Sequence, residues 1–452
     1  MDRRTWFRIS GALATGLSLT GWARSDGLAA GSGGISSLFR SGPGGPNAEN
    51  ETASAAEVPH SAVGRGPDTF EARMEELLDA LAARREVFSV VLGARSGDDT
   101  VRWFGARGEA VPSGRAMTPD TPFFTASITK LYIAAAVMRM IEEGELALGD
   151  RMVDRLPSSF TRGLHVESGV DRTDQITIEH LLGHTSGLPD FIEDVPPRRG
   201  GPDDRRSLVE ILLAEGDMEW SLEDTTRRVR QALRPHFPPQ ALDARRVRIR
   251  YSDTNYQLLM GIMEHRRDSS FPDILDELVL EPLGLRRTWV SGHPREEMEA
   301  DPVATVRAGE DVVSFPRFFS SIRDLDGTAE DLLRFLRGMI QGALFRSPDT
   351  WPRMQARWNR FPLPLDRAAL RQPGWPIEYG LGVMRYQLPR LLAPFRPPPA
   401  VLGHSGSTGT WLFYAPELDL YLVGAVNQIT AAPLPFRFVP RVLRAAQDTL
   451  GR

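Results

Sequence analysis

The sequence predicts an α/β fold in which one antiparallel sheet is assembled from both ends of the chain and a helical lobe is inserted between the strands. Strand patterns rich in β-branched and aromatic residues, bounded by turn residues, occur at 87–94, 100–106, 400–406, 410–415 and 418–428. The sequence between the two groups is mainly helical. We therefore expect the first and last strands to share one sheet flanked by helices, with the helical lobe at about 127–300.

Helical patterns account for most of the remaining sequence. Apolar residues recur at helical spacing in the segments 70–85, 127–143, 176–184, 205–216, 254–267, 271–280, 327–340 and 438–450. The segment 341–400 is rich in Pro and Arg and predicts loops. No internal repeat is visible in the sequence, and we expect one domain over 67–452.

The beginning of the chain has the features of an export signal followed by a linker. The first residues are MDRRTWFR, in which Arg3 and Arg4 precede bulky apolar residues, as in a twin-arginine signal. The weakly apolar region 9–23 is too short to span a bilayer. We expect a signal peptide over 1–30, a Gly/Ser/Pro-rich linker over 31–66, and export to the periplasm or outside the cell.

The composition is that of a globular protein and excludes several kinds of site. Of 452 residues, 41% are hydrophobic and 25% charged, the net charge is −5, and cysteine is absent, which excludes disulfides and thiolate catalysis. The Arg-rich stretch 227–250 follows acidic residues and offers no aromatic platform, so we interpret it as a surface insert and expect no nucleic-acid partner. We also expect no membrane-spanning segment after the signal is removed.

Lysine occurs once in the chain, at position 130. Lys and Arg together number 54, so every other cationic side chain of the two kinds is arginine. Arginine keeps its proton at any ordinary pH, whereas a desolvated lysine can release one. Lys130 is therefore a candidate for a role that requires an amine.

Ser127 stands three residues before this lysine, at the start of a helix predicted to be buried. The spacing places both side chains on one helix face, one turn apart. Burial is expected to lower the pKa of Lys130, and the free N–H groups at a helix start favour a developing oxyanion. The alternative is a helix-capping serine beside a lysine whose stem covers apolar surface.

Two further segments carry polar residues suited to catalysis. Tyr251 and Asp253 lie in YSDTNY, where a phenol can carry a proton, although Tyr251 also fits a core aromatic position. His404 and Gly406 lie in GHSGS on a predicted strand. A histidine there can bind a substrate carboxylate, and the glycine lets a ligand approach the backbone.

Together these motifs resemble those of the serine β-lactamase and penicillin-binding-protein superfamily. They occur in the order Ser127-x-x-Lys130, Tyr251-x-Asp253 and His404-x-Gly406. The resemblance covers most of the chain from about residue 85. It is nearest to the class C β-lactamase-like branch, which includes D-alanyl-D-alanine carboxypeptidases and esterases. It implies a two-lobed β-lactamase/transpeptidase-like fold with the site in the cleft between the lobes.

The resemblance also implies roles for individual residues. Ser127 would be the acylated nucleophile, and the backbone N–H groups of Ser127 and Ser407 would form the oxyanion hole. Lys130 and Tyr251 would carry protons, and which of them is the base stays open. His404 would stand where other branches carry the lysine of Lys-Thr-Gly.

One position departs from the pattern of the family. Asp253 stands where β-lactamases and peptidases of this branch typically have asparagine. An ionised carboxylate cannot donate a hydrogen bond to a substrate carbonyl, and beside Lys130 it favours the charged ammonium. Both effects count against efficient β-lactam hydrolysis.

Three rival interpretations are weaker. Ser405 lies in a near match to a nucleophile elbow, but no histidine follows position 404, as an α/β-hydrolase triad requires. His180 and His184 do not form a His-Glu-x-x-His zinc motif. A penicillin-binding sensor that acylates without turnover would be expected to carry a fused second domain.

The expected function is therefore a serine hydrolase that forms a covalent acyl-enzyme on an amide or ester. D-Ala-D-Ala peptides, β-lactams, short acyl esters and D-amino-acid amides all fit the sequence. We expect a small-molecule or peptidoglycan-type peptide substrate, no cofactor, no metal and a monomeric protein.

Overall fold

The computed structural model describes residues 69–198, 205–295, 298, 302–363, 373–390, 393 and 396–451. The expected signal peptide and linker lie outside these described residues. Within them, no helix combines the length and the apolar character needed to cross a membrane.

A nine-stranded antiparallel sheet lies at the centre of the described residues. Its strands follow one another in space as β11 (Asn359–Arg360), β12 (Ile377–Tyr379), β13 (Met384–Tyr386), β14 (Val401–Gly406), β15 (Thr410–Ala415), β16 (Leu420–Ala425), β1 (Ser89–Ser96), β2 (Arg102–Val111) and β3 (Arg115–Ala116). β16 pairs with β1, with Val91 opposite Ala425. The two ends of the chain therefore share one sheet, as the sequence predicts.

Three of these strands lie in a segment for which the sequence predicts loops. β11, β12 and β13 are only two or three residues long, which is too short for a strand pattern to stand out from the surrounding Pro and Arg residues. In β12 and β13 the outer residues are buried and the central residue is less so. The prediction of loops alone over 341–400 is therefore wrong at these strands.

The remaining strands form small sheets. One has three strands in the order β4 (Phe123–Phe124), β10 (Leu325–Gly327) and β7 (Thr288–Val290). Two hairpins pair β5 (Val166–Glu167) with β6 (Val170–Asp171), and β8 (Arg307–Ala308) with β9 (Asp311–Val312).

Twelve α-helices are present in the described residues. They are α1 (Phe70–Ala82), α2 (Thr129–Glu142), α3 (Ser158–Thr161), α4 (Ile178–Leu182), α5 (Leu208–Glu215), α6 (Leu222–Ala232), α7 (Asp253–Arg267), α8 (Phe271–Leu275), α9 (Pro316–Ile322), α10 (Ala329–Ile340), α11 (Thr350–Met354) and α12 (Leu434–Thr449). A π-helical turn, Asp276–Leu280, continues α8.

The large sheet separates two hydrophobic cores because successive side chains of a strand point to opposite faces. Val90 and Leu92 of β1 belong to the core that contains buried residues of α1 and α12. Val91, between them, belongs to the core that contains α2 and α10. All residues of α2 from Thr129 to Met140 are buried, which confirms the prediction of a buried central helix.

The Arg-rich stretch is more than the surface insert that the sequence suggests. Helix α6 runs through its first part and buries Val229. Arg228 donates to the carbonyl of Phe191 at 3.0 Å, and Arg250 donates to the carboxylate of Asp194 at 2.7 Å. Some of the arginines thus anchor a neighbouring loop, a role that charge counting along the sequence does not reveal.

Candidate active site

Ser127 lies in a single 3₁₀ turn, Ala126–Ile128, immediately before α2. The residue before it, Ala126, is buried and has a φ of +50°. A left-handed conformation costs a non-glycine residue on the order of 1 kcal/mol, so the surrounding packing must hold this turn in place.

Strand β14 supplies that packing through Gly406. A Cβ atom at Gly406 would lie 2.7 Å from the carbonyl oxygen of Thr125 and 3.0 Å from the Cβ of Ala126. Thr410 on the neighbouring strand donates to the same Thr125 carbonyl at 3.1 Å. Only glycine lets the strand come this close, and Ser407 then lines the same cavity as Ser127.

Lys130 connects Ser127 to Asp253. Its Nζ donates to Ser127 Oγ at 3.1 Å and forms an ion pair with Asp253 Oδ1. Lys130 is buried on α2, whereas Asp253 is the first residue of α7 and lines the cavity. The structure thus brings Ser127 and Lys130 into contact with Asp253, which lies 126 positions after Ser127 in the sequence.

The charge of Lys130 is decided by two opposing effects. Burial lowers the pKa of the ammonium, but the negative charges on Asp253 and Asp324 raise it, and the net pKa lies well above the usual value. The expectation that burial leaves this lysine with a lowered pKa is therefore wrong. Lys130 is an ammonium at neutral pH in the resting protein.

Tyr251 lies beside this ion pair. Lys130 Nζ is 5.1 Å from the centroid of the Tyr251 ring, and the phenol lines the cavity while only 5% of the residue is exposed. Lys130 and Ser127 both act on the buried Tyr251 hydroxyl as hydrogen-bonding neighbours. Burial raises the pKa of Tyr251, partly opposed by the charge on Lys130, so the phenol keeps its proton.

His404 points into a buried layer beneath the cavity. Its Nε2 lies 3.0 Å from the Tyr379 hydroxyl, its Nδ1 lies 2.8 Å from the carbonyl of Ser405, and the residue is fully buried. Burial and the charge on Lys130 lower the pKa of His404 to about 3, so it is neutral. The structure does not bring His404 to the cavity surface, where a direct contact with a substrate carboxylate would have to occur.

His184 belongs to the same buried layer and fixes the YSDTNY segment. Its ring lies 4.4 Å from that of Tyr251, between centroids, and its Nδ1 accepts from the backbone N–H of Ser252 at 3.2 Å. The side chain of Asp190 accepts from the backbone N–H of Asp253 at 3.1 Å. These contacts set the position of Tyr251 and Asp253 relative to α2.

The cavity in front of Ser127 is apolar on most of its walls and acidic near the reacting groups. Its apolar walls include Phe124, Val313, Phe315, Phe318, Phe319, Ile377, Met384, Ile429 and Phe436. Its acidic residues are Asp190, Glu193, Asp253 and Asp324. Among the described residues that line it, none is Lys, Arg or His.

The family model described as Beta-lactamase matches residues 71–437 of this chain. The chain belongs to this family. It is accordingly a serine hydrolase of the β-lactamase type, and the class C branch within the family stays a prediction.

Individual relatives of this β-lactamase family chain have different activities. Esterase EstB of Burkholderia gladioli is 28% identical over 350 residues, which span 72% of this chain and 83% of EstB. Penicillin-binding protein 4 of Amycolatopsis lactamdurans is 31% identical over 281 residues, 55% of this chain and 63% of that protein. The solved structure of a D-stereospecific amidohydrolase from Streptomyces sp. has a TM-score of 0.60 and 24% identity, and the match covers 83% of this chain and 98% of the other. The structural likeness confirms the predicted fold class.

Sequence reasoning missed several residues of this family site. Asp190 ends the segment LLGHTSGLPD, which is typical of the family. A single aspartate after a proline does not by itself indicate a site residue, so the sequence gave no reason to select it. Asp324 and Phe319 lie in stretches without a recognisable motif. Asp324 reaches the cavity because β10, which follows it, bonds to the start of α2, where the Leu325 N–H donates to the Thr129 hydroxyl at 3.0 Å, a contact that no local pattern encodes.

The two histidines considered for zinc make separate contacts. His180 Nδ1 lies 2.8 Å from the Thr177 hydroxyl, and its Nε2 lies 2.7 Å from the carbonyl of Gln240. His184 faces the Tyr251 ring instead. Across the described part of the chain, no group of three or more His, Asp or Glu residues is arranged to hold a metal ion.

Proposed function

We propose that this chain hydrolyses esters through an acyl-enzyme on Ser127, with a preference for apolar acyl groups that carry no carboxylate. The observation that carries the proposal is the cavity itself, whose described lining combines Ser127 with apolar walls and four acidic side chains but no cation. The described walls offer a substrate carboxylate no cationic partner of its own, because Lys130 is already paired with Asp253 and unpaired charge is costly in a partly desolvated site.

In the proposed reaction, Ser127 Oγ attacks the acyl carbonyl. Ser127 and Ser407 both line the cavity, and in this proposal their backbone N–H groups bind the oxyanion, a type of contact that contributes about 3–4 kcal/mol per donor in serine hydrolases. Lys130, which contacts Ser127 Oγ, and Tyr251, whose hydroxyl neighbours Ser127 and Lys130, carry protons to and from the reacting atoms.

A second candidate function is hydrolysis of amides whose acyl part bears an ammonium group. Glu193 lines the cavity, and Asp324, whose pKa burial raises to about 7, adds negative charge there when it is ionised. The fold similarity to a D-stereospecific amidohydrolase makes a D-amino-acid amide a suitable representative of this class. D-Ala-D-Ala peptides and penicillins are disfavoured because both carry a carboxylate.

A substrate panel on purified protein tests these alternatives. We expect p-nitrophenyl butyrate to be the best substrate, ahead of D-phenylalanine amide, a chromogenic cephalosporin and a D-Ala-D-Ala peptide. Ser127→Ala should lose at least about 10³-fold in turnover, as nucleophile removal does in serine hydrolases. A fluorophosphonate should label wild type on the Ser127 peptide alone.

Other outcomes separate the remaining possibilities. Labelling elsewhere, or activity above background in Ser127→Ala, contradicts the assignment of the nucleophile. Efficient turnover of the cephalosporin or the D-Ala-D-Ala peptide contradicts the substrate preference. A stable stoichiometric penicillin adduct without turnover would indicate a sensor.

We also propose that the protein is exported by the twin-arginine route. The basis is the sequence around Arg3 and Arg4, which lies outside the described residues. Replacing both arginines by lysine should leave the precursor in the cytoplasm of a host with that pathway. Unchanged delivery to the envelope would contradict the proposal.

A further inference from the structure

One nitrogen atom lies between the nucleophile and a carboxylate. Lys130 Nζ donates to Ser127 Oγ at 3.1 Å, and the same Nζ forms an ion pair with Asp253 Oδ1. An ammonium has three protons and no acceptor, so it cannot accept the proton of Ser127 unless it releases one at the same time. The group placed to receive a released proton is Asp253.

We propose that Asp253 is the final proton acceptor during acylation of Ser127, with Lys130 passing the proton between them. The inference rests on the proposed acyl-enzyme function and assigns Asp253 a part that the asparagine typical of this position cannot perform. An asparagine side chain can accept a hydrogen bond from Lys130, but it cannot take up a proton at any ordinary pH.

The proposed step balances without any other reactant. The O–H bond of Ser127 breaks as Oγ bonds to the acyl carbon, and its proton goes to Lys130 Nζ. In the same step Nζ gives a different proton to Asp253 Oδ1, so the lysine stays charged and the aspartate becomes neutral. When the tetrahedral intermediate collapses, the leaving group takes this proton back through Lys130 and departs as a neutral alcohol or amine.

The surroundings of Asp253 hold its carboxylate in position. Asp253 is the first residue of α7, where the positive end of the helix dipole stabilises an anion. The carboxyl of Asp190 accepts from its backbone N–H and fixes the start of the helix. The side chain is 20% exposed, so water can reach it.

Other titratable groups also act on Asp253 electrostatically. They come from α2, the loop before α7, the loop after α4, the segment before β10, α7 itself and β12: Lys130, Tyr251, Asp190, Asp324, Tyr256 and Tyr379. Lys130 is the cation in this set, and it is the group in direct contact with both Ser127 and Asp253.

The pH dependence of acylation tests the proposal. For wild type, kcat/KM for p-nitrophenyl butyrate is measured across pH to locate its acid limb, the range in which kcat/KM falls as pH decreases. In Asp253→Asn the carboxylate is gone, so within this proposal the neutral amine of Lys130 has to accept the proton of Ser127. We therefore expect kcat/KM at pH 7 to fall by about a hundredfold or more, the usual contribution of a general base, and to recover as pH rises towards 9 or above.

Two further variants separate chemistry from structure. Asp253→Glu retains a carboxylate and should keep its acid limb close to that of wild type, even if its rate is lower. Asp326→Asn removes another buried carboxyl, one that binds Ser291 and does not line the cavity, and should not move the limb. Circular dichroism and thermal unfolding of each variant verify that the protein is folded.

Each result has a defined meaning. A folded Asp253→Asn variant with the acid limb of wild type overturns the proposal, whether its rate is unchanged, higher or uniformly lower. If wild type is not labelled on Ser127 by a fluorophosphonate, the proposed function itself fails. Labelling of wild type together with an unmoved limb in Asp253→Asn overturns only the role of Asp253.

Discussion

Two buried groups near Tyr251 show that burial alone does not set the charge of a side chain. Lys130 is buried together with a carboxylate and stays charged, because the charges on Asp253 and Asp324 outweigh the cost of removing the ammonium from water. His404 is buried with the Tyr379 hydroxyl and a carbonyl as its partners and stays neutral. The difference lies in the partner that the fold supplies to each group. The site therefore consists of a charged region around Lys130 and a neutral buried layer around His404.

The buried carboxyl of Asp326 shows the same dependence of charge on the available partner. It is buried on β10, where Ser291 donates to it at 2.9 Å, and burial raises the pKa of Asp326 to about 7. No ion pair is recorded for it among the described residues. A buried carboxyl with only a hydroxyl partner thus tends towards its neutral form.

The largest expected effect comes from changing the charged region. Lys130→Arg keeps the positive charge but cannot pass on a proton, so it should lose at least a hundredfold in the rate of acylation, nearly as much as Lys130→Ala. The rate of fluorophosphonate labelling measures this directly. Unfolding should be followed in parallel, because a larger cation in a buried helix can destabilise the protein. A folded arginine variant with a rate close to that of wild type would refute the need for an amine.

A smaller effect is expected from Asp326→Asn, and it should appear in stability. Between about pH 4 and pH 7 the folded chain holds a proton on Asp326 that the unfolded chain has released, so stability decreases as pH rises through this window. Asparagine keeps the acceptor for Ser291 without the charge. We expect the variant to be more stable than wild type at pH 8 by on the order of a few kcal/mol, with little difference at pH 4. Urea unfolding at the two pH values measures the change, and an equal difference at both would show that Asp326 does not titrate in this range.

The smallest effect is expected from His404→Phe. This change leaves the Tyr379 hydroxyl without its histidine partner and should cost about 1–2 kcal/mol at pH 7.5. Between pH 6.5 and about 3 the unfolded chain binds a proton at this position that the folded chain does not, so wild type loses stability as pH falls through this window. The variant should lose less, as urea unfolding at pH 7.5 and pH 5 would show. Turnover should decrease by less than about tenfold. A hundredfold loss in a stable variant would instead support the predicted role of His404 in substrate binding.

Much of the fold could be predicted because its signals are local. Helix α2 was predicted at 127–143 and extends over Thr129–Glu142 after the 3₁₀ turn that holds Ser127. Strands β14 and β15 lie within one residue of their predicted limits. The strands β12 and β13 could not be predicted, because three-residue strands are defined by the neighbours they pair with and too few residues carry the pattern.

The sequence by itself determined which residues have the chemistry for acyl transfer: one lysine, a serine one helical turn before it, and the tyrosine and histidine motifs in family order. It did not determine their charges. Only the tertiary structure placed Asp253 against Lys130, turned His404 into a layer without a carboxylate partner, and lined the cavity with acids and phenylalanines from distant segments. The reason is physical: the identity of a side chain sets which protons it can carry, whereas the free energy of carrying them depends on burial and on neighbouring charges, which arise only when the chain has folded.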